Sequence, residues 1–145
     1  MGIRIDGLDS FEKKLADIAR RLPQERDRFL KAEAELMKGR AKLNTPAVSG
    51  MLRNAWNRTQ PTGGQIELYN NTEYAAHVEW GHRQKNRWVP GYWKGDRFVY
   101  DRGARTGMML KDKFIDGSGM LHKAVDETKA SIRTDARRIL GGLLS

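Results

Sequence analysis

Two histidines, two glutamates and a tryptophan lie within YNNTEYAAHVEWGHRQ, residues Tyr69–Gln84, so catalytic or metal chemistry in this 145-residue chain is sought there first. A helical zinc site needs two histidines four residues apart, so that both imidazoles share a face, with a glutamate beside the first to activate water. His77 and His82 are five apart, about 140° round a helix, and Gly81 between them favours a helix end. On a strand, His77, Glu79 and Gly81 would share one face and His82 the other. Neither geometry collects three ligands, and a third would have to come from His122 or a distant aspartate. The spacing favours a structural turn over a metal centre.

Other chemistries find less support. The chain has no cysteine, which removes thiolate nucleophiles, disulfides and thiolate zinc sites together. It has no G-x-S-x-G elbow, no phosphate-cradling G-x-x-x-x-G-K-[ST] and no G-x-G-x-x-G. Asp116–Met120, DGSGM, holds a serine between glycines, but no strand pattern runs into it; Ser118 or Asp116 reads as the cap of a following helix. The expectation is a chain with no catalytic residues, no metal ligands and no cofactor.

The elements that would carry these residues follow from periodicity. DSFEKKLADIARRL opens with Asp9 as N-cap and Glu12 three residues on, and Phe11, Leu15, Ile18 and Leu22 fall on one helical face. Pro23 either kinks this helix or starts a second one, and a break is expected there. Leu30, Ala34, Met37 and Ala41 continue as a second amphipathic helix to about Leu43. RNAWNRTQ and GQIELYNN flank PTGG and read as a β-hairpin. NTEYAAHVEWG reads as a turn and a half of helix, with Tyr74 and Val78 at i,i+4 and Gly81 as a left-handed C-cap. RWVPGYWKGDRFVY is a second strand pair around Lys94-Gly95-Asp96, with Pro90 confined to an edge or bulge.

DRGARTGMMLKDKFIDGSG lacks a sustained period and is expected to be a long flexible loop over about 101–119, with one helical turn at Met108–Lys111. The last helix carries Leu121, Ala124, Val125, Thr128, Ile132, Ala136 and Ile139 on one face, with Gly141 as its stop. The expected fold is α+β: a small antiparallel sheet of three to four strands, with N-terminal and C-terminal helices packed on it, in a single domain over 1–145.

Charge narrows the partners. Lysine and arginine number 27 against 18 acids, a net +9. The segment from Gly81 to Lys123 holds ten basic and four acidic residues, whereas the first 42 residues are nearly balanced, with eleven and eight. A local basic excess favours a polyanion or a charged channel wall. Trp88, Tyr92, Trp93, Phe98 and Tyr100 lie in the same stretch; they read as hairpin core or subunit contacts before base-stacking platforms. No window is apolar enough for a membrane span and no targeting segment opens the chain, so a cytoplasmic protein is expected.

TPAVSGMLRNAW, LYNNTEYAAHVEWGHR, WVPGYW and a helix beginning GMLHKAV follow one another in an order that resembles the tailed-bacteriophage neck proteins, the tail-component or head-tail joining family. The specific parts are Ser49, Gly50, Leu52 and Arg53, then Asn70, Tyr74, Ala75, Val78, Glu79, Gly81, His82 and Arg83. The stretch from Gln84 to Gly119 is longer than the family pattern. The resemblance implies a non-enzymatic virion protein of siphophage or prophage type. It would form a homo-oligomeric ring, hexamer or dodecamer, at the head-tail junction, after assembly in the host cytoplasm. Its partners would be the head connector or head-closure protein, the tail terminator and double-stranded DNA passing non-specifically through the lumen, with no membrane. Glu79 and the basic run from His82 would pair within the chain or with a neighbour's arginine. Arg97, Arg102, Arg105, Lys111 and Lys113 would line the DNA channel or a ring interface. The alternative is a free basic nucleic-acid-binding protein.

Overall fold

The computed structural model describes residues 2, 4, 6–47 and 50–145. The architecture is α+β, with helices at both ends and short antiparallel strands between them. Its contacts fall into two compact units, one of Met1–Thr72 with Met120–Ser145 and the other of Glu73–Gly119.

In the first unit, α1 runs unbroken over Leu8–Asn44 and α4 over Met120–Leu144, packed side by side. The break expected at Pro23 does not occur. Pro23 is exposed, so its missing N–H leaves the Ala19 carbonyl on a wet face, and the apolar stripe on the other side holds the helix together. The start of α1 also differs from expectation. Gly7, at φ 95°, is the N-cap in place of Asp9, and Ser10 Oγ donates to its carbonyl at 2.8 Å. Nor does Gly141 stop α4, which continues to Leu144.

Ala34, Ala41 and Ala124 are buried where the two helices meet; small side chains let the backbones approach. Arg40 reaches across to α4, donating from Nη1 to Thr128 Oγ1 at 2.8 Å and from Nη2 to Ser131 Oγ at 3.3 Å. The expected hairpin forms as β1, Trp56–Arg58, and β2, Leu68–Asn70, with Trp56 opposite Asn70 and Arg58 opposite Leu68. It lies against α1, where Arg58 pairs with Glu35.

The second unit begins with α3, Ala75–Trp80, and runs into β3, Gly81–Gln84. A three-stranded sheet follows, with β4 (Arg87–Lys94) between β5 (Arg97–Tyr100) and β6 (Gly107–Leu110). β7, Lys113–Asp116, returns to pair with β3. The segment expected to be a loop over 101–119 therefore holds two strands, and Met108–Leu110 is strand instead of a helical turn. Their pairing partners lie some 20 and 30 residues upstream, which no local pattern announces.

β4 changes partner along its length. Arg87–Pro90 pairs with β6 and Gly91–Lys94 pairs with β5. Pro90 stands where the β5 ladder ends, its carbonyl accepting from Asp101 N–H at 3.2 Å, so its missing amide interrupts nothing. β4 is the middle strand and Pro90 stands opposite Gly107 of β6, so the edge position expected of it is not the one it takes. Gly95, at φ 62°, opens the two-residue turn into β5, the glycine-first arrangement that hairpin twist favours.

Candidate functional site

The residues singled out from the sequence separate between the two units. In the first, α2 spans Gly50–Asn54 and carries Gly50, Leu52 and Arg53; Ser49 lies outside the described residues. Leu52 is buried and its carbonyl accepts from Asn70 Nδ2 at 2.8 Å, which ties α2 to β2. Asn70 Oδ1 also accepts from the Thr72 amide and hydroxyl, fixing the exit from the strand. Arg53 Nη2 donates to the Thr45 carbonyl at 3.0 Å, while its buried Nε has no acceptor among the described residues.

Thr45 is the centre of this cluster, although nothing in its sequence context distinguished it. Its hydroxyl donates to the Ala41 carbonyl at 2.6 Å, accepts from Trp56 Nε1 at 2.9 Å and lies 3.5 Å from Met120 Sδ. One buried hydroxyl thereby joins the end of α1, the first strand and the start of α4. These bonds are architectural, and none presents a reactive group to solvent.

In the second unit, Tyr74, Val78, Glu79, Gly81, His82 and Arg83 form one continuous feature. Val78 N–H donates to the Tyr74 carbonyl, and Gly81 N–H closes α3 on the His77 carbonyl. Gly81 adopts φ 86°, ψ 173°, a region open to glycine and not the left-handed cap expected. A Cβ there would strike the Ile115 carbonyl and stand 2.8 Å from Gly117 N. The chain returning after β7 seals the helix end, as Ser118 and Gly119 donate their amides to the Val78 and Glu79 carbonyls at 2.7 and 3.2 Å. Ser118 Oγ also donates to Val78 O, so this serine serves the end of α3 and not the start of α4.

His77 and His82 pack edge to face, with ring centroids 5.5 Å apart. Among the described residues no three histidine, cysteine, aspartate or glutamate side chains gather as metal ligands. Arg83 is held within the chain by a two-pronged bond to Asp112 at 2.9 and 3.0 Å, and Gln84 Nε2 donates to the Lys111 carbonyl. Asp112 gave no sequence signal as that partner because β7 sets the register that brings it there.

The five basic candidates are all exposed: Arg97 on β5, Arg102 and Arg105 between β5 and β6, Lys111 before β7 and Lys113 on it. Register puts Arg97 directly opposite Lys94, with Tyr92, Trp88 and Met109 on that same sheet face. The other face carries Trp93, packed edge to face on Phe98 at 5.3 Å, and Tyr100. Trp88, Trp93 and Tyr100 remain more than half exposed. In the whole unit no apolar side chain is buried; its buried residues are Glu79 and Gly91.

The sequence profile of a family described as "Bacteriophage HK97-gp10, putative tail-component" matches residues 9–81, half of the chain. Two Bacillus subtilis (strain 168) proteins are similar. "Phage-like element PBSX protein XkdI" is 41% identical over 81 residues, which cover 54% of this chain and 50% of that protein. "Uncharacterized protein YqbI" is 42% identical over 69 residues, covering 42% of this chain and 41% of that protein. The chain thus spans about half the length of the curated relatives it matches. No solved structure gives a significant match.

Proposed function

Since the chain belongs to the bacteriophage HK97-gp10 tail-component family, we propose that it is a non-enzymatic structural protein of the virion neck, forming a ring around the DNA channel that joins the capsid connector to the tail. The observation that carries this reading is the second unit, whose aromatic and basic side chains stand exposed on both sheet faces without an apolar core of their own. A surface of that kind is completed by neighbours in an assembly. Arg97, Arg102, Arg105, Lys111 and Lys113 then face either the phosphates of passing DNA or an acidic surface of an adjoining ring. Arg83, which lies outside that set, is paired with Asp112.

Light scattering on the protein alone and with the phage connector complex tests this. A closed oligomer, or a monomer that joins the connector as a ring, supports it; a species that ignores the connector removes it. Neutralising Arg102, Arg105, Lys111 and Lys113 together is expected to weaken DNA retention, and unchanged phage yield would remove the channel-lining role. The face shared by Trp88, Tyr92, Lys94 and Arg97 favours a second reading, a free nucleic-acid-binding protein. That reading requires salt-steep DNA affinity in a small species. An enzyme, by contrast, would lose activity on His77→Ala with its fold intact.

A further inference from the structure

The three-stranded sheet of the second unit has two faces of different chemistry. Backbone alternation puts Val89 and Trp93 of β4 on one face with Phe98, Tyr100, Met108 and Leu110 of its neighbours, and Arg87 is the one cation of the strands there. The opposite face carries Trp88, Pro90 and Tyr92 in a row, then Lys94 and Arg97 facing each other across the turn. Like charges directly opposite on neighbouring strands destabilise a sheet, and among the described residues no carboxylate pairs with either cation. Trp88 runs over Gly107 of β6, where a Cβ would stand 2.7 Å from its Cζ2 and 2.8 Å from its Cε2, so the glycine lets the indole lie close to the sheet. Trp88 is still 54% exposed and Tyr92 47%. Four residues of strand hold the two rings about 13 Å apart, so neither covers the other.

We infer that this face binds unpaired nucleotides of a DNA strand, with bases stacked on Trp88 and Tyr92 and a backbone phosphate between Lys94 and Arg97. A phosphate set between two facing cations removes their repulsion, and ring platforms followed by cations along one extended strand match a chain that offers both π-faces and anions. Duplex DNA does not serve the rings, because its bases stack on one another and present only edges and phosphates. A protein partner fits the other face better: that face is the more apolar, whereas lysine is depleted at protein interfaces. The inference deepens the nucleic-acid reading of this face and takes DNA over RNA from the channel reading, but it requires no ring.

The test is fluorescence anisotropy on the protein alone with an oligothymidine of about ten nucleotides, a duplex of equal length and an oligouridine. The oligothymidine is expected to bind at least about tenfold tighter than the duplex. Trp88→Ala and Tyr92→Ala should each weaken it about tenfold, while Tyr100→Ala on the opposite face should leave it unchanged. Lys94→Gln and Arg97→Gln should each lower the salt slope by about 0.7. Trp88→Phe keeps an aromatic platform and should retain most of the affinity, with less quenching of tryptophan fluorescence by the oligothymidine than in the unaltered protein. No binding at low salt, equal affinity for the duplex, full affinity in Trp88→Ala or unaltered quenching in Trp88→Phe would each overturn the inference. Tighter binding of the oligouridine would overturn the assignment to DNA. A protein that binds oligothymidine but ignores the connector refutes the neck reading and not this one; joining the connector without binding oligothymidine does the reverse.

Discussion

At the scale of single residues, Gly81 and Glu33 carry measurable consequences. Gly81 joins α3 to β3 with a backbone geometry closed to other residues and with Gly117 packed against it. Gly81→Ala is expected to cost roughly 1–3 kcal/mol from backbone strain alone, with the collision added. Hydrogen exchange should show amides of α3 and β3 losing protection first. Glu33 is buried on α1, and its carboxyl titrates above its usual range because burial disfavours the anion and Asp135 stands beside it; Arg40 and Arg138 offset part of this. An acid whose folded-state pKa is raised binds more protons folded than unfolded. Stability therefore falls as pH rises from the ordinary carboxylate range through the raised value. Glu33→Gln should flatten that slope, and its thermal midpoint relative to the unaltered protein should be higher at pH 8 than at pH 5.

Among elements, α1 and the Thr45 cluster show where local signals stop. Pro23→Ala restores an amide to the Ala19 carbonyl and is expected to stabilise the helix by about 1–3 kcal/mol, read as a raised midpoint in circular dichroism. The local sequence predicts a break at Pro23, yet the exposed side of a long amphipathic helix tolerates the lost bond. Thr45→Val leaves the Trp56 indole N–H buried without its acceptor and should cost about 1–3 kcal/mol, seen in urea unfolding followed by tryptophan fluorescence. Elements with near-neighbour chemistry were legible in the sequence: the hairpin around PTGG, the turn at Gly95, the short helix ending at Gly81 and the inner face of α4. β6 and β7 were not, since Met108, Met109 and Leu110 do not alternate and their partners are distant in sequence. The face of Phe11, Leu15 and Leu22 was legible as apolar, but periodicity alone does not say whether a face is covered.

For the whole molecule, the candidate site was legible as residue types and not as a surface. The motif from Asn70 to Arg83 was visible, whereas the neighbours of each basic residue depended on register. The Arg97 and Lys94 pair and the Arg83 and Asp112 pair are products of the β4–β5 and β3–β7 ladders. A unit without buried apolar side chains draws little of its stability from within. Amides of residues 73–119 are thus expected to exchange faster than those of α1 and α4 in the free protein, and to slow on assembly with the connector. Equal protection in the free protein would show that the second unit needs no partner to hold it.

The change of partner along β4 has a mechanical side. A sheet resists bending most where several ladders lie abreast. At Pro90 and Gly91 the β6 ladder stops and the β5 ladder starts, with one bond on either side, from Asp101 N–H to Pro90 O and from Gly91 N–H to Thr106 O. Twist applied to the tip at Gly95 is concentrated at that step instead of being spread through the strands. The hairpin is therefore expected to act as a lever on that step, following the contour of whatever it rests against while the ladder behind it stays in register.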